Sequence, residues 1–226
     1  MSKDNTLTFT FKINGQSGKT LELTINALRN FIEAADDATQ RLGTKDTQPY
    51  YGLVWDSAKA LSEIIIDSCT PETKYLELGC GLAMPSFVAA KLGAEVDCID
   101  FHPDAEAFFY KNKTANGLQD CPWPAFHKLE WKDASALAAG CDVIIGSDLI
   151  YSLDKAIGLA DFLHAALSSK KNLVAIIADQ GRPNLKDFLE RCQTHGLAVN
   201  ASEHQATDVT RKKITIKVLS ISMPMP

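Results

Sequence analysis

The chain reads as an α/β protein: a doubly wound, seven-stranded, mostly parallel sheet with an antiparallel last strand, preceded by a β-hairpin and a helix. Three observations predict this. Short apolar runs alternate with helix-patterned segments through the middle of the chain, an order that demands a parallel sheet with helices on both faces. Tyr75 to Asp100 reads as a single strand, glycine turn, helix and strand. The chain then closes on two alternating segments, Leu197 to Ala201 and Ile214 to Val218, separated by the polar stretch Ser202 to Lys213. They read as an antiparallel pair at the sheet edge.

At the N-terminus Leu7, Phe9, Phe11 and Ile13 alternate with Thr8, Thr10 and Lys12. Asn14-Gly15 and Gly18 break the run, and Leu21, Leu23 and Ile25 resume it, which predicts a hairpin with one buried face. Leu28, Phe31, Ile32, Ala35 and Leu42 follow at helical spacing. A hairpin and one helix cannot hold themselves together, so they must dock on the rest of the chain or on a partner. Residues 1–45 are therefore read as an extension and 46–226 as the main domain, with Gly43 to Tyr50 as a polar linker ending in Pro49. Trp55 precedes a helix carrying Ala58, Leu61, Ile64 and Ile65 on one face, with Asp56 or Ser57 placed to cap it.

In the central unit Tyr75, Leu76 and Leu78 form a buried strand, Gly79-Cys80-Gly81 a turn, and Phe87 to Leu92 a helix stopped by Gly93. Val96 to Ile99 is the next strand, and its tip carries Asp100. Glycines allow a tight turn and close approach of a ligand, and the helix start leaves amides unpaired. A carboxylate about 20 residues past such a turn is the usual grip on a ribose hydroxyl pair. Met84 stands where a dinucleotide fold needs a third glycine, and Glu77 in the turn would repel a pyrophosphate but accept bonds from an ammonium group. An adenosine cofactor with a cationic amino-acid end and no phosphate fits best, which describes S-adenosylmethionine. The bland alternative is a plain tight turn with a solvated aspartate at a strand end.

His102-Pro103 opens a helix that runs to Asn116 and ends at Gly117, and Asp120 to Pro124 is a loop. Ala125 to Trp131 is the third strand of the sheet. Trp131 at its carboxyl end is either a platform for adenine or ordinary burial. Cys141 to Ile145 is the fourth strand, ending in Gly146-Ser147-Asp148-Leu149-Ile150-Tyr151, and its helix turns Ile157, Ala160, Leu163 and Leu167 inward. Leu173 to Ala178 is the fifth, with Asp179-Gln180-Gly181 at its end and a helix from Pro183 to His195 behind it.

The 226 residues are 46% apolar, enough for a full core, and the net charge of −5 gives no general pull toward nucleic acid or an acidic membrane. The six cysteines are scattered without a CxxC pair, as in reduced intracellular proteins. No apolar run approaches the ~18 residues of a membrane span, and MSKDNTLTFT lacks a signal-peptide core, so a cytoplasmic location is expected. Dispersed histidines argue against zinc, and the absence of a GxSxG elbow against a serine hydrolase.

From about Tyr51 to Leu219 the chain resembles the seven-stranded class I S-adenosylmethionine-dependent methyltransferases, a Rossmann-like group. More narrowly, it resembles the family of protein-lysine methyltransferases once called nicotinamide N-methyltransferase-like. The landmarks are GLVWDSAKAL around Trp55, LELGCG at Leu76 to Gly81, the Trp131 element and DVIIGSDLIY at Asp142 to Tyr151. The last carries the family's Asp-x-x-Tyr signature as Asp148 and Tyr151. By composition alone Trp55 would be core packing; the resemblance instead implies that Trp55, the glycine turn, an acid at Asp100, Trp131 and the small residue Ser147 line the cofactor pocket. The cofactor set is thus Trp55, Glu77, Gly79, Cys80, Gly81, Asp100, Phe101, Trp131 and Ser147. One departure is LAMPS after the turn, where relatives often keep a further glycine. Relatives also carry the N-terminal hairpin near the substrate side, which implies a substrate-docking role.

A lysine amine, with an ordinary pKa near ~10.4, must lose its proton before it can attack a methyl group, and an apolar aromatic pocket promotes that loss. Asp148 and Tyr151 are the catalytic candidates: both can orient the amine, and Asp148 can accept its proton. Their bland reading is a helix N-cap followed by an exposed tyrosine. Leu149-Ile150 replaces the paired prolines common in adenine and glutamine methyltransferases. The expectation is an N-methyltransferase acting on lysine in a protein. A small-molecule N-methyltransferase, with the hairpin as lid, and a non-catalytic cofactor-binding module are the alternatives.

Overall fold

A computed structural model describes residues 5–43, 48–207 and 212–224. The seven-stranded sheet runs in the order β5-β4-β3-β6-β7-β9-β8, where β3 is Lys74–Leu78, β4 Glu95–Asp100, β5 Ala125–Lys128, β6 Val143–Ser147, β7 Val174–Asp179, β8 Ala198–Thr207 and β9 Lys213–Ser222. Strands β3 to β7 pair in parallel, and β9 lies antiparallel between β7 and β8. The chain leaves β3 toward β4 on one side and returns to β6 on the other. Ligands in open α/β sheets bind at the carboxyl ends of strands at such a reversal.

Helices cover both faces. On one, α2 (Asp56–Ser68), α3 (Met84–Lys91) and α4 (Ala105–Ala115) bury Leu61, Phe87 and Phe109 against Tyr75, Val96 and Cys98. On the other, α5 (Ser135–Gly140), α6 (Leu153–Ser169) and α7 (Leu185–Thr194) bury Leu159, Leu163 and Phe188 against Leu76, Leu78 and Ile99. Successive strand residues point to opposite faces, so Tyr75 and Glu77 share the α3 side and Leu76 and Leu78 the other.

The hairpin, β1 (Thr6–Asn14) and β2 (Thr20–Leu28), pairs Phe9 with Ile25 and Phe11 with Leu23, and α1 (Phe31–Leu42) follows it. It docks on the main body, with Ile13, Leu23 and Ile25 joining the α2–α4 core. Two asparagines one turn apart, Asn112 on α4 and Asn116 at its C-cap, complete the exposed backbone of β2. Asn112 accepts from the Asn26 amide at 2.7 Å and donates to its carbonyl at 3.2 Å. Asn116 accepts from the Thr24 amide at 3.0 Å and donates to its carbonyl at 2.7 Å. A helix thereby covers what would otherwise be an open strand edge.

Several local expectations are corrected. The hairpin's apolar face is buried only in part, since Leu7 and Phe9 remain 39% and 40% exposed. Leu28 ends β2 instead of entering the helix, and α1 buries Ala34 and Ala38 while Ile32 faces solvent. Neither Asp56 nor Ser57 caps α2: Trp55 holds the cap position without a side-chain bond. Asp56 instead pairs with Lys59 at 3.1 Å. The strand expected from Ala125 to Trp131 ends at Lys128, and Trp131–Asp133 form a separate helical turn. The polar stretch from Ser202 is largely strand, because β8 continues to Thr207. The expected domain boundary at 45–46, most of the linker after Gly43, and residues 208–211 of the polar stretch lie outside the described residues.

Candidate active site

A cavity of about 290 Å³ opens at the carboxyl ends of β3, β4 and β6. Small-molecule sites usually span roughly 300–1,000 Å³. Its lining includes Trp55, Gly79, Cys80, Gly81, Asp100, Phe101, Trp131, Ser147, Asp148 and Tyr151. The structure thus brings together ten of the eleven residues singled out in the sequence. Glu77 is the exception.

The turn after β3 takes its shape from the protein around it. Gly79 and Gly81 have φ of +54° and +49°, backbone that side chains with a Cβ rarely adopt. A Cβ on Gly79 would lie 2.6 Å from the Leu149 side chain, and one on Gly81 would lie 2.9 Å from the Tyr51 carbonyl oxygen. Left-handed backbone thus favours glycine at both positions, and the Tyr51 carbonyl adds a second demand at Gly81, whatever the cavity holds. Ala83 takes a third left-handed position, φ +56°, just before α3, with Pro85 in the first helical turn. That is how LAMPS makes the bend without a further glycine.

Asp100 fastens this turn to β4. One carboxylate oxygen accepts from the Gly81 amide at 3.0 Å and the other from the His102 amide at 2.9 Å. Burial raises this carboxyl above its ordinary range, and the amide bonds oppose that shift. The carboxylate retains acceptor capacity for a hydroxyl at the cavity side.

Glu77, expected in the turn, faces α3 because of its place in the β3 alternation. It is 1% exposed and accepts from the Ser86 amide at 3.2 Å and from the Ser86 hydroxyl. Its carboxylate therefore holds the first turn of α3 and does not line the cavity. Burial pushes its pKa up to about 8 from an ordinary 4.5, against the Ser86 bonds. The unfolded chain releases this proton near 4.5 and the folded chain near 8, so every step of pH between those values favours unfolding. The melting temperature of the wild type should fall from pH 5 to pH 8 more steeply than that of Glu77→Gln. Parallel thermal melts for the two would reveal a side chain already ionised in the native state.

Asp148 sits immediately after β6 with φ +54°, and its side chain is only 3% exposed. The α6 cap position belongs to Ser152, which removes the N-cap reading of Asp148. One Asp148 oxygen accepts two bonds from the Arg182 guanidinium, at 2.9 and 3.2 Å, and the other accepts from Gln180 at 3.3 Å. Arg182 is aimed by Asp179, which accepts from the Gly181 and Arg182 amides at 2.8 Å each and folds the loop after β7 back toward β6. The same guanidinium lies 5.2 Å above the Trp55 ring, within cation–π range.

The cavity mouth is aromatic. Tyr50 stacks on Phe31 at 5.6 Å and meets Trp55 and Tyr151 at 6.2 and 6.1 Å, while the Trp55 indole donates to the Tyr50 carbonyl at 3.1 Å. Tyr50 and Tyr151 at the Asp148 end are 45% and 41% exposed, and Phe101 at the other end is 41% exposed. At the opposite end Phe101, Trp131 and Leu129 form an apolar wall. Tyr50, Lys155 and Arg182 escaped the sequence reading. The one available signal was the cation following Asp179-Gln180-Gly181 at a strand end.

The lining suits a ligand with a flat base, a diol and a charged amino-acid end. It supplies an apolar aromatic wall, a carboxylate at a strand tip, and the open backbone of the glycine turn beside Trp55. Comparison with known proteins agrees. A 166-residue stretch is 27% identical to the protein N-lysine methyltransferase METTL21A of Xenopus tropicalis, covering 70% of this chain and 74% of that protein. A 157-residue stretch is 27% identical to the mouse electron transfer flavoprotein beta subunit lysine methyltransferase, covering 67% of this chain and 58% of that enzyme's length. A solved structure described as a methyltransferase complexed with SAH shares the fold, with a TM-score of 0.62 at 16% identity, covering 94% of this chain and 55% of that one. The lysine methyltransferase family model matches residues 38–195, and the chain belongs to that family of S-adenosylmethionine-dependent enzymes.

Proposed function

We propose that the cavity holds S-adenosylmethionine and that the enzyme methylates the side chain of a lysine in a protein substrate. The observation that carries this reading is the placement of Asp148 and the exposed Tyr151 in one cavity with Asp100 and the Phe101–Trp131 wall. The ribose hydroxyls go to Asp100, the base to that wall, and the amino-acid end to the glycine turn and Trp55. The bound cofactor supplies a methyl group on a sulfonium: the lysine nitrogen forms the new N–C bond while the S–C bond breaks and sulfur keeps the pair.

The chain's own residues prepare the nucleophile. The rings of Tyr50, Trp55 and Tyr151 desolvate the approaching side chain, which favours the neutral amine. Its proton leaves to solvent through the mouth. Asp148, held by Arg182 and Gln180, accepts a hydrogen bond from the amine and aims its lone pair, and the Tyr151 hydroxyl offers a second contact. Such positioning is worth as much as ~7–11 kcal/mol of barrier in favourable cases.

The test is transfer of label from radioactive S-adenosylmethionine into a cell lysate, read by gel and by small-molecule chromatography. Label on a discrete protein band, found as methyl-lysine after hydrolysis, is the expected result. Label on a metabolite would replace the protein substrate with a small molecule. Cofactor binding without label in either fraction would leave a binding module.

A further inference from the structure

We propose that Lys155 is a specificity residue for the purine: its ammonium donates to a ring nitrogen of the base held between Phe101 and Trp131. This rests on the cavity holding S-adenosylmethionine, as proposed above. Lys155 lies in the first turn of α6 and lines the cavity. Its Nζ is 5.6 Å from the Phe101 centroid and 5.5 Å from the Trp131 centroid. A single cation thus lies within cation–π range of both rings that flank the apolar end.

A second contact of α6 fixes the same ring. A Cβ on Gly158, one turn further along α6, would lie 3.9 Å from the Trp131 indole nitrogen, so the indole lies against the helix where Gly158 has no side chain. Lys155 and Gly158 share one helix face at a spacing of three. That face holds Trp131 at one position and supplies a charged donor beside it at the other. The rings alone read only a flat surface, which any base offers. An N–H donor that reaches a stacked base distinguishes bases by where their acceptor nitrogens lie. Adenine has acceptors at N1, N3 and N7, and loss of the one that meets the ammonium should weaken binding in the wild type and not in Lys155→Met.

The neighbouring charges leave Lys155 available for this. Asp154 is bonded to Ser152 at 2.5 Å, and Glu130 pairs with Lys132 at 2.9 Å. Asp100 is bonded to the Gly81 and His102 amides. Arg182 and Asp148 pair with one another at the other end of the cavity.

The experiment is calorimetry of S-adenosylhomocysteine and its 1-deaza, 3-deaza and 7-deaza forms with the full chain, as wild type, Lys155→Met and Lys155→Arg. Met keeps the aliphatic length and removes the charge. Lys155→Met should raise the Kd for S-adenosylhomocysteine about tenfold, and Lys155→Arg should stay within about threefold. The wild type should bind one deaza form about tenfold more weakly than the parent, and Lys155→Met should lose that discrimination. An unchanged Kd in Lys155→Met, or equal losses for all four ligands, overturns the role of Lys155 alone. A wild type that binds none of them overturns the cofactor reading and this inference together.

Discussion

Asp148→Ala should lower turnover at least about 100-fold while leaving the Kd for S-adenosylhomocysteine within about threefold of wild type. The separation follows from where Asp148 sits. Its side-chain bonds run to Arg182 and Gln180 on the loop after β7, whereas those of Asp100 run to the Gly81 and His102 amides. Removing the carboxylate leaves the Arg182 guanidinium, whose side chain is 26% exposed, able to turn toward water. The fold should therefore persist and the loss fall on the amine. Arg182→Met should also lower turnover, because Asp148, 3% exposed at its side chain, would lose the partner that fixes its direction. Single-turnover kinetics beside calorimetry would read both effects. Wild-type turnover in Asp148→Ala would remove this carboxylate from the reaction.

Gly81→Ala should be the most damaging single methyl group in the cofactor turn. The new Cβ would meet the Tyr51 carbonyl oxygen at 2.9 Å in backbone held at φ +49°. Left-handed backbone costs an ordinary residue roughly 1–2 kcal/mol, and overlap that forces backbone apart adds about 1–3 kcal/mol. The Tyr51 backbone cannot swing aside as a long side chain does, since Tyr51 is buried and its ring packs on His102 at 4.3 Å. A loss of about 2–5 kcal/mol corresponds to a fall of about 4–20 °C in Tm for a chain of this size. The Gly81 amide also bonds Asp100, so cofactor affinity should fall with it. A melt within about 2 °C of wild type would show that the turn and Tyr51 separate freely.

The seven-stranded, mostly parallel sheet, the central unit and ten residues of the cavity lining were legible in the sequence because each has a local signature. Apolar runs ending in glycine or aspartate mark strand tips, and strand tips in this topology converge. What escaped has no such signature. The bonds of Asn112 and Asn116 to β2 join positions 86 and 92 residues apart, and asparagine at helical spacing looks like any solvated face. Glu77 was misplaced because it lies next to the turn in sequence, whereas strand alternation turns its side chain under α3. Arg182 was passed over because its meaning comes from Asp148, thirty-four residues earlier. The apolar residues of α1 misled for the opposite reason: Phe31 is used at the cavity mouth and Ile32 faces solvent, so the pattern marked a site and not a core.

The stretch matched to the family, residues 38–195, begins inside α1 and stops before β8 and β9. A recombinant fragment trimmed to those limits would shed β9, which pairs along one side of β7, and leave Val174–Asp179 as a bare apolar edge. It would also strip the hairpin from the α2–α4 face, uncovering apolar side chains that Leu23 and Ile25 now shield. Such a fragment keeps every residue proposed for chemistry, yet it would come out of cells as aggregate.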